Sequence, residues 1–435
     1  MNLPSLGLLA TALYAAPFGA DSAARPLTLA EAVDLALHNA PAVVQSAGET
    51  RTRRAEVRAA YAAFVPGVTL NAGATRQYTS GANTRVENGQ IVTLPRDPWS
   101  SSGSLGASVD LFTGGRRLFD LKRARAGETA ASADAVTQRF QVELEVKQQY
   151  FNELAARESE TAARAQLEQS QRQLRDAIAK LRAQSASKSD SLRSIIQVRN
   201  AELALLTAQN DRTSAAAALT RIVGAPEPVT ASGADVGESV TLALEADAVA
   251  QLAARGPAVR EAEAQLEAAR ASRWTAYARY LPTVSAGYSR GASGTSPDFG
   301  VSDTYTYSGS LRFSLSLPLF DQLGREQQVV EAGVALDNAE AALRDARLAA
   351  RQNLTQSLGA FQTALQHAAA LAASVEAAEE DLRVQQQRYT AGEATLLDVL
   401  ASQTQLAQSR ESLIRARYDA RVAKAQLEAL VGREL

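Results

Sequence analysis

The chain has no cysteine, one methionine and two histidines among 435 residues, and aromatic residues make up only 5%. Without cysteine there is no disulfide, thiol nucleophile, thiolate-bound zinc, iron–sulfur cluster or lipid-modified N-terminal cysteine. His38 and His367 are too few and too scattered for a histidine metal site, and one methionine does not line a route for soft metals such as copper. Neither sign of charge is in excess: 45 Lys+Arg face 47 Asp+Glu, a formal net charge of −2, so nucleic acid has no electrostatic footing as a partner. Beyond the N-terminal region no run reaches about 18 uncharged apolar residues, so no transmembrane helix is expected. Gly114-Gly115-Arg116 lacks the Gly-Lys-Ser/Thr of a phosphate loop. No Ser/His/Asp arrangement or supported carboxylate pair stands out, so no catalytic residue, cofactor or metal ligand is expected.

What is present begins with an uncharged N-terminus. The first ionisable side chain is Asp21, and Leu6 to Ala16 form an apolar run followed by small residues at Gly19-Ala20 and Ala23-Ala24. The pattern predicts a signal peptide over 1–24, although the usual basic start is missing.

The rest of the chain is duplicated. Ala40-Pro41-Ala42-Val43 recurs as Gly256-Pro257-Ala258-Val259, and Phe64-Val65-Pro66 as Tyr280-Leu281-Pro282, at an offset of 216. Leu111-Phe112, Arg117, Asp190 and Val223-Gly224 then match Leu319-Phe320, Arg325, Asp398 and Val431-Gly432 at an offset of 208. A loop shortened by 8 residues in the second copy reconciles the two offsets. The first repeat is read as 25–224, the second as 241–435, with a linker over 225–240.

Each copy alternates two periodicities. Proline is absent between Pro98 and Pro226 and again after Pro318, which favours uninterrupted helices over 114–183 and 322–390, with return arms over 190–223 and 398–431. Each long helix would run roughly 100 Å at 1.5 Å per residue. Leu167, Leu174, Ile178 and Leu181, and Leu371, Val375, Leu382 and Tyr389, recur at coiled-coil spacing, continued by Ile196, Leu203, Val399, Leu406 and Leu413 in the return arms. Within hairpins over 66–112 and 282–320 the period changes to two. Val68, Leu70, Ala72 and Ala74 alternate with polar residues or glycine, as do Leu105, Ala107, Val109 and Leu111, and Tyr307, Leu311, Phe313 and Leu315. Such strands match a membrane β-barrel wall, with Leu311, Phe313 and Leu315 towards lipid and Arg312 and Ser314 towards the lumen. Trp274, Tyr277, Tyr280, Phe112 and Phe320 would form an aromatic girdle at one membrane interface. Four strands cannot close a barrel in lipid, so the chain must oligomerise, and three copies would supply about 12 strands.

The segments Leu111-Phe112-Thr113-Gly114-Gly115-Arg116-Arg117, Leu317-Pro318-Leu319-Phe320-Asp321, Leu29-Ala30-Glu31-Ala32 and 389–400, in this order and duplicated, resemble the outer-membrane efflux protein family, the TolC-like channel-tunnels. The resemblance implies a mixed α/β membrane protein, with long antiparallel α-helical coiled coils forming a periplasmic tunnel and four β-strands per chain entering a 12-stranded barrel in outer-membrane lipid. It implies a homotrimer that meets a periplasmic adaptor protein and an inner-membrane pump, and serves as a passive exit duct for efflux or type I secretion. It also implies docking tips at Gln184 and Ser185 and at Ala391, Gly392 and Glu393, and carboxylates at Asp190 and Asp398 that ring the periplasmic entrance. The chain departs from some members at Ala394 and Ala401, where those carry Arg and Asp, which weakens any gate built on these positions. Two other readings of Asp398 and of the chain stand beside these. Asp398 is equally read as a helix N-cap, and the heptads alone fit a trimeric coiled-coil structural or adhesive protein of the cell envelope.

Overall fold

The computed structural model describes residues 24–76, 78, 84–93, 99–184, 187–233, 246–296, 299 and 304–435. Most of the expected signal peptide, Ser185 and the far half of the expected linker lie outside them. The chain forms two compact units, one built from Met1–Asn39, Glu145–Ser239 and His367–Val422, the other from Ala40–Leu144, Val240–Gln366 and Ala423–Leu435. Each unit therefore draws on both copies of the sequence repeat.

The second unit holds a four-stranded antiparallel sheet of β2 (Gly67–Arg76), β5 (Trp99–Phe112), β7 (Thr283–Ser296) and β8 (Thr306–Ser316), in the order β2-β5-β7-β8. Its helices α2 (Pro41–Ala62) and α6 (Pro257–Ala278) each have 22 residues and open on a proline, a position where the missing N–H costs nothing. Val259 and Leu266 of α6 pack on Leu336, Leu343 and Ala350 of α7 (Gly324–Thr390), a spacing of seven residues that keeps one helical stripe facing its partner. Lower on α7, Leu354 and Phe361 bury against Val249 and Ala253 of α5 (Ala246–Ala253) and Ala423, Leu427 and Val431 of α8 (Leu396–Val431).

The first unit carries α1 (Leu29–Asn39), the C-terminal part of α3 (Arg116–Arg182), α4 (Lys188–Val223), the C-terminal end of α7 and most of α8. The helices α3 and α7 have 67 residues each, and α4 and α8 have 36 each. Ala378 and Leu382 of α7 bury against Val399 and Leu406 of α8. In the first half of α4 the buried residues are Ser191, Ser194, Val198 and Ala201, whereas Leu192, Ile196 and Leu203 are exposed; Ala215, Leu219 and Val223 are buried in its second half. Within one chain the expected seam residues Ile196 and Leu203 therefore face outward, while Ser191, Ser194, Val198 and Ala201 face inward.

Four further features depart from the sequence reading. The expected linker contains β6 (Val229–Ala231), paired in parallel with β1 (Arg25–Leu27). The first external loop contains a hairpin of β3 (Thr84–Glu87) and β4 (Gln90–Thr93), turning through Asn88 and Gly89 at φ 52° and 80°, the Asn-Gly pair that a tight hairpin favours. The pairing is irregular at the end of β5, where a bulge at Leu111 sets Phe112, not Leu111, opposite Val284. β8 ends at Ser316, so Phe320 lies beyond the strand rather than closing it.

Candidate functional site

The register of the sheet separates two faces. Directly opposed residues of antiparallel strands share a face. On one lie Val68, Ala107, Tyr288 and Leu311 in one row, with Val109, Ala286 and Phe313 in the next strand-end row and Leu315 opposite Val284 beyond it. The other face carries Thr69, Gly106, Ser289 and Ser310 in one row and Asn71, Ser104, Gly291 and Ser308 in another, with Ser289 and Ser310 hydroxyls 2.9 Å apart. Arg312 shares this hydroxyl-rich face with Gly287, Ser108 and Gly67. Both outer strands, β2 and β8, present an unpaired edge within the chain, and their side chains are exposed throughout.

The joints between sheet and long helices are duplicated in geometry. Arg117 donates from Nη1 to the Asp110 carbonyl at 2.5 Å, and Arg325, its repeat counterpart, donates to the Pro318 carbonyl at 2.7 Å. Each guanidinium also lies over an aromatic ring, Arg117 5.7 Å from Phe64 and Arg325 4.8 Å from Tyr280. Asp110 pairs with Arg117 at 3.1 Å and Asp321 with Arg325 at 3.0 Å. The preceding turn is left-handed in both copies: Gly114 and Gly115 at φ 63° and 85°, Gln322 and Leu323 at φ 58° and 68°. At Gly114 a β-carbon would lie 2.6 Å from the Ala278 carbonyl, so this glycine is required on two counts. Sequence reading matched Arg117 to Arg325 but did not assign them this clamp. Their retention beside an aromatic at both repeat positions was the available signal.

The expected girdle residues divide into two groups. Phe112, Tyr280 and Phe320 lie at the sheet–helix joint and are exposed. Trp274 and Tyr277 lie on α6, where Trp274 stacks on Phe119 of α3 at 5.8 Å and meets Tyr277 at 6.1 Å with the rings tilted by 52°.

At the helical tips, Gln184 and Gly392 occupy matching places at φ 58° and 80°, with open space around Gly392. Gln184, Ala391, Gly392 and Glu393 are exposed. Asp190 and Asp398 have matching roles just after. Asp398 accepts from the Thr395 N–H at 2.8 Å and hydroxyl at 2.7 Å, while its own N–H donates to the Thr395 hydroxyl at 3.4 Å. Ser187 and Asp190 make the same reciprocal set. Asp398 is therefore not the N-cap: Thr395 is, and Asp398 closes a capping box from the third helical position. The Thr395 hydroxyl and N–H hold the Asp398 carboxyl below its ordinary value. A lowered carboxyl pKa stabilises the fold above the unfolded value, so this cap is lost as pH falls through the acid carboxylate range. Lys180 of α3 lies 4.1 Å from the Tyr389 ring of α7 close by.

Sequence reading missed a buried polar group under β1 and β6. Glu153 is fully buried and accepts from the Ala231 N–H at 3.2 Å, Arg157 donates to the Ala231 carbonyl at 2.7 Å, and Tyr150 donates to the Leu27 carbonyl at 3.2 Å. Burial pushes the Glu153 carboxyl up. One turn pair along, hydrogen bonding to Arg212 pulls the Glu160 carboxyl down, with Arg164 adding to it. These side chains fasten a small parallel sheet to α3, and that is a structural task. Among the described residues no group of three or more His, Cys, Asp or Glu is placed to hold a metal. No described helix is long and apolar enough to cross a membrane.

A family model described as outer membrane efflux protein matches residues 32–225 and 248–433, two segments that fall on the two copies of the repeat. The chain belongs to this family. Among relatives, Protein CyaE of Bordetella pertussis is 32% identical over 334 residues, 74% of this chain and 66% of CyaE, just under two thirds of that protein. The pyoverdine export outer membrane protein OpmQ of Pseudomonas putida is 27% identical over 413 residues, covering 93% of this chain and 84% of OpmQ. The fold is that of the outer membrane protein VceC of Vibrio cholerae (TM-score 0.76, 19% identity, 93% of this chain and 96% of that one). It is shared by the CmeC outer membrane channel of Campylobacter jejuni (TM-score 0.79, 16% identity, 99% and 93%). As an outer membrane efflux protein the chain is mostly helical with a smaller sheet, belongs to a family of channel proteins rather than enzymes, and resides in the outer membrane with a periplasmic extension.

Proposed function

We propose that three copies of the chain join edge to edge, β8 of one beside β2 of the next, to close a 12-stranded barrel from three four-stranded sheets, and that this trimer is a passive exit duct. The single observation that carries the reading is the division of the sheet into an apolar and a hydroxyl-rich face together with two open edges. Lipid tolerates strands only when every edge is paired, and a polar interior facing an apolar exterior is the pattern of an aqueous pore. The exposed Leu192, Ile196 and Leu203 of α4 are a further surface that neighbouring chains would cover. In this reading residues 1–24 are removed on export, and the repeats 25–224 and 241–435, flanking 225–240, each supply two wall strands and a helical arm with its return. Energy comes from an inner-membrane pump through a periplasmic adaptor, in an efflux or type I secretion system. The test is conductance of the purified protein in a planar bilayer together with its mass in detergent. Trimers with stepwise conductance are expected, and a monomer with no conductance would overturn the reading.

The adaptor meets the tips at Gln184, Ser185, Ala391, Gly392 and Glu393. Any side chain at Gly392 is strained by its φ of 80°, yet nothing lies near the missing β-carbon. Gly392→Ala thus reports strain alone, at about 1 kcal/mol, and Gly392→Trp adds bulk at the surface. The expected result is near-normal export with alanine and loss of export with tryptophan, trimers persisting in both. Equal export by the two variants would remove this tip from the interface.

Asp398 and Asp190 line the periplasmic entrance, where threefold repetition turns each carboxylate into a ring that attracts cations. Asp398→Asn keeps most of the cap geometry and removes the charge, so reduced cation selectivity and weaker divalent block are expected with little change in folding. Reversal potentials measured on both proteins check this. Identical curves would leave Asp398 with its capping role only.

A further inference from the structure

One outward row of the sheet is interrupted by charge. Leu70, Leu105, Arg290 and Gly309 stand side by side across β2, β5, β7 and β8, so Arg290 shares the apolar face with Tyr288, Leu311 and Phe313. Its side chain is exposed and, among the described residues, has no ion pair or hydrogen-bond partner. The neighbouring position on β8 is Gly309, which leaves the guanidinium unobstructed on that side. The other arginine of β7 and β8, Arg312, falls on the opposite, hydroxyl-rich face.

The level of Arg290 along the strand decides what it can meet. It is seven residues past Thr283, where β7 leaves the helical joint. At about 3.3 Å per residue and a tilt near 40°, that is roughly 18 Å up a band about 25 Å tall. The large aliphatic residues stop at this row. Above it the same face carries Ala72, Gly103 and Ala292, then Ala74, Ser101 and Gly294, then Arg76, Trp99 and Ser296, with Tyr307 beside Ala292 one step up. Small residues with an outward tyrosine mark a membrane boundary rather than its middle. An arginine a few ångströms below that boundary reaches it by extending upward along the wall. There its planar fork suits a phosphate, which it can hold by two parallel bonds.

We propose that Arg290, with Tyr307 above it, is a binding site for the phosphorylated headgroup of an outer-leaflet lipid, one site on each chain of the trimer. This rests on the barrel reading for which face meets lipid. The occupant is a lipid rather than a free anion because the fork is set among Leu70, Leu105, Tyr288 and Leu311, a floor that acyl chains cover and that water would leave exposed.

The test titrates the purified full-length trimer in neutral detergent with diphosphoryl lipid A, read as the rise in its melting temperature, with inorganic phosphate and phosphatidylcholine as parallel arms. Lipid A should raise the midpoint, and Arg290→Gln should weaken half-saturation about fivefold, the worth of one basic residue at a membrane surface. Arg290→Lys, which keeps the charge and loses the fork, should fall between. Arg312→Gln should bind lipid A like the wild type. Equal binding by wild type and Arg290→Gln would overturn the proposal, as would an equal rise with inorganic phosphate, which would make the site a simple anion site. If Arg312→Gln weakened binding and Arg290→Gln did not, the two faces would be exchanged and the barrel reading itself would fail. Absence of trimers would defeat that reading independently of Arg290.

Discussion

Arg325→Ala lowers the apparent stability of the protein by about 3 kcal/mol, the largest loss expected of any single change at the sheet–helix joint. The side chain is 12% exposed and does several things at once. It donates to the carbonyls of Pro318 and Leu319, pairs with Asp321 at 3.0 Å and covers the Tyr280 ring at 4.8 Å. Truncation leaves two carbonyls and a part-buried carboxylate without their cation, and the desolvation they have already undergone is no longer compensated. Lysine keeps the charge but cannot reach both carbonyls and the carboxylate, so Arg325→Lys recovers only part of the loss. Arg117→Ala, the same clamp in the first copy with one carbonyl contact instead of two, should cost about 2 kcal/mol. Arg344→Ala, on an exposed stretch of α7, should stay within about 0.5 kcal/mol. Thermal and denaturant unfolding of the four variants checks the order. Equal values for Arg325→Ala and Arg344→Ala would mean that the joint does not depend on the clamp.

Phe313→Arg impairs membrane insertion by about 2–4 kcal/mol, whereas Ser314→Arg, one residue on, is tolerated. Phe313 stands opposite Ala286 on the apolar face and Ser314 opposite Ser285 on the hydroxyl-rich one. A period of two places adjacent residues on opposite faces, which in the proposed barrel meet lipid in one case and lumen water in the other. With the proposed site at Arg290, charge on the outer face is sustainable near the upper boundary but not three residues above Thr283, where no headgroup of the outer leaflet would be reached. The yield of folded protein in outer-membrane fractions measures both variants. Equal yields for Phe313→Arg and Ser314→Arg would remove the assignment of faces and, with it, the site at Arg290.

Much of this architecture is local and so was readable along the chain. Tracts without proline became α3 and α7 at 67 residues each, because helix formation needs only neighbours within a turn. Alternation along β2, β5 and β8 assigned the two faces, because side chains on a strand alternate whatever the partner. The duplication located the left-handed turn residue Gln184 opposite Gly392 although the residue types differ.

What remained required partners distant in sequence. The pairing of Arg25–Leu27 with Val229–Ala231 joins two three-residue segments too short to carry a pattern of their own, and Glu153 is buried only because that sheet lies over it. The bulge at Leu111 shows only in the register against β7, since the alternation on β5 runs through it unbroken. Asp398 could be placed near a helix start from sequence. Its position in the capping box was decided by Thr395 becoming the cap residue, which depends on where the tip turn ends. Ile196 and Leu203 read as a seam by spacing, but a periodic stripe specifies that a face is apolar and not which neighbour covers it. In the folded chain Val198 and Ala201 face inward and the larger pair faces out. By itself the sequence determined the elements, their duplication and the two-sidedness of the sheet, all set by interactions between near neighbours. The tertiary structure decided the register, the seating of Arg117 and Arg325 over Phe64 and Tyr280 and the burial of Glu153, because each joins residues that only folding brings together, and it fixed where the tip turns end and so which residue caps.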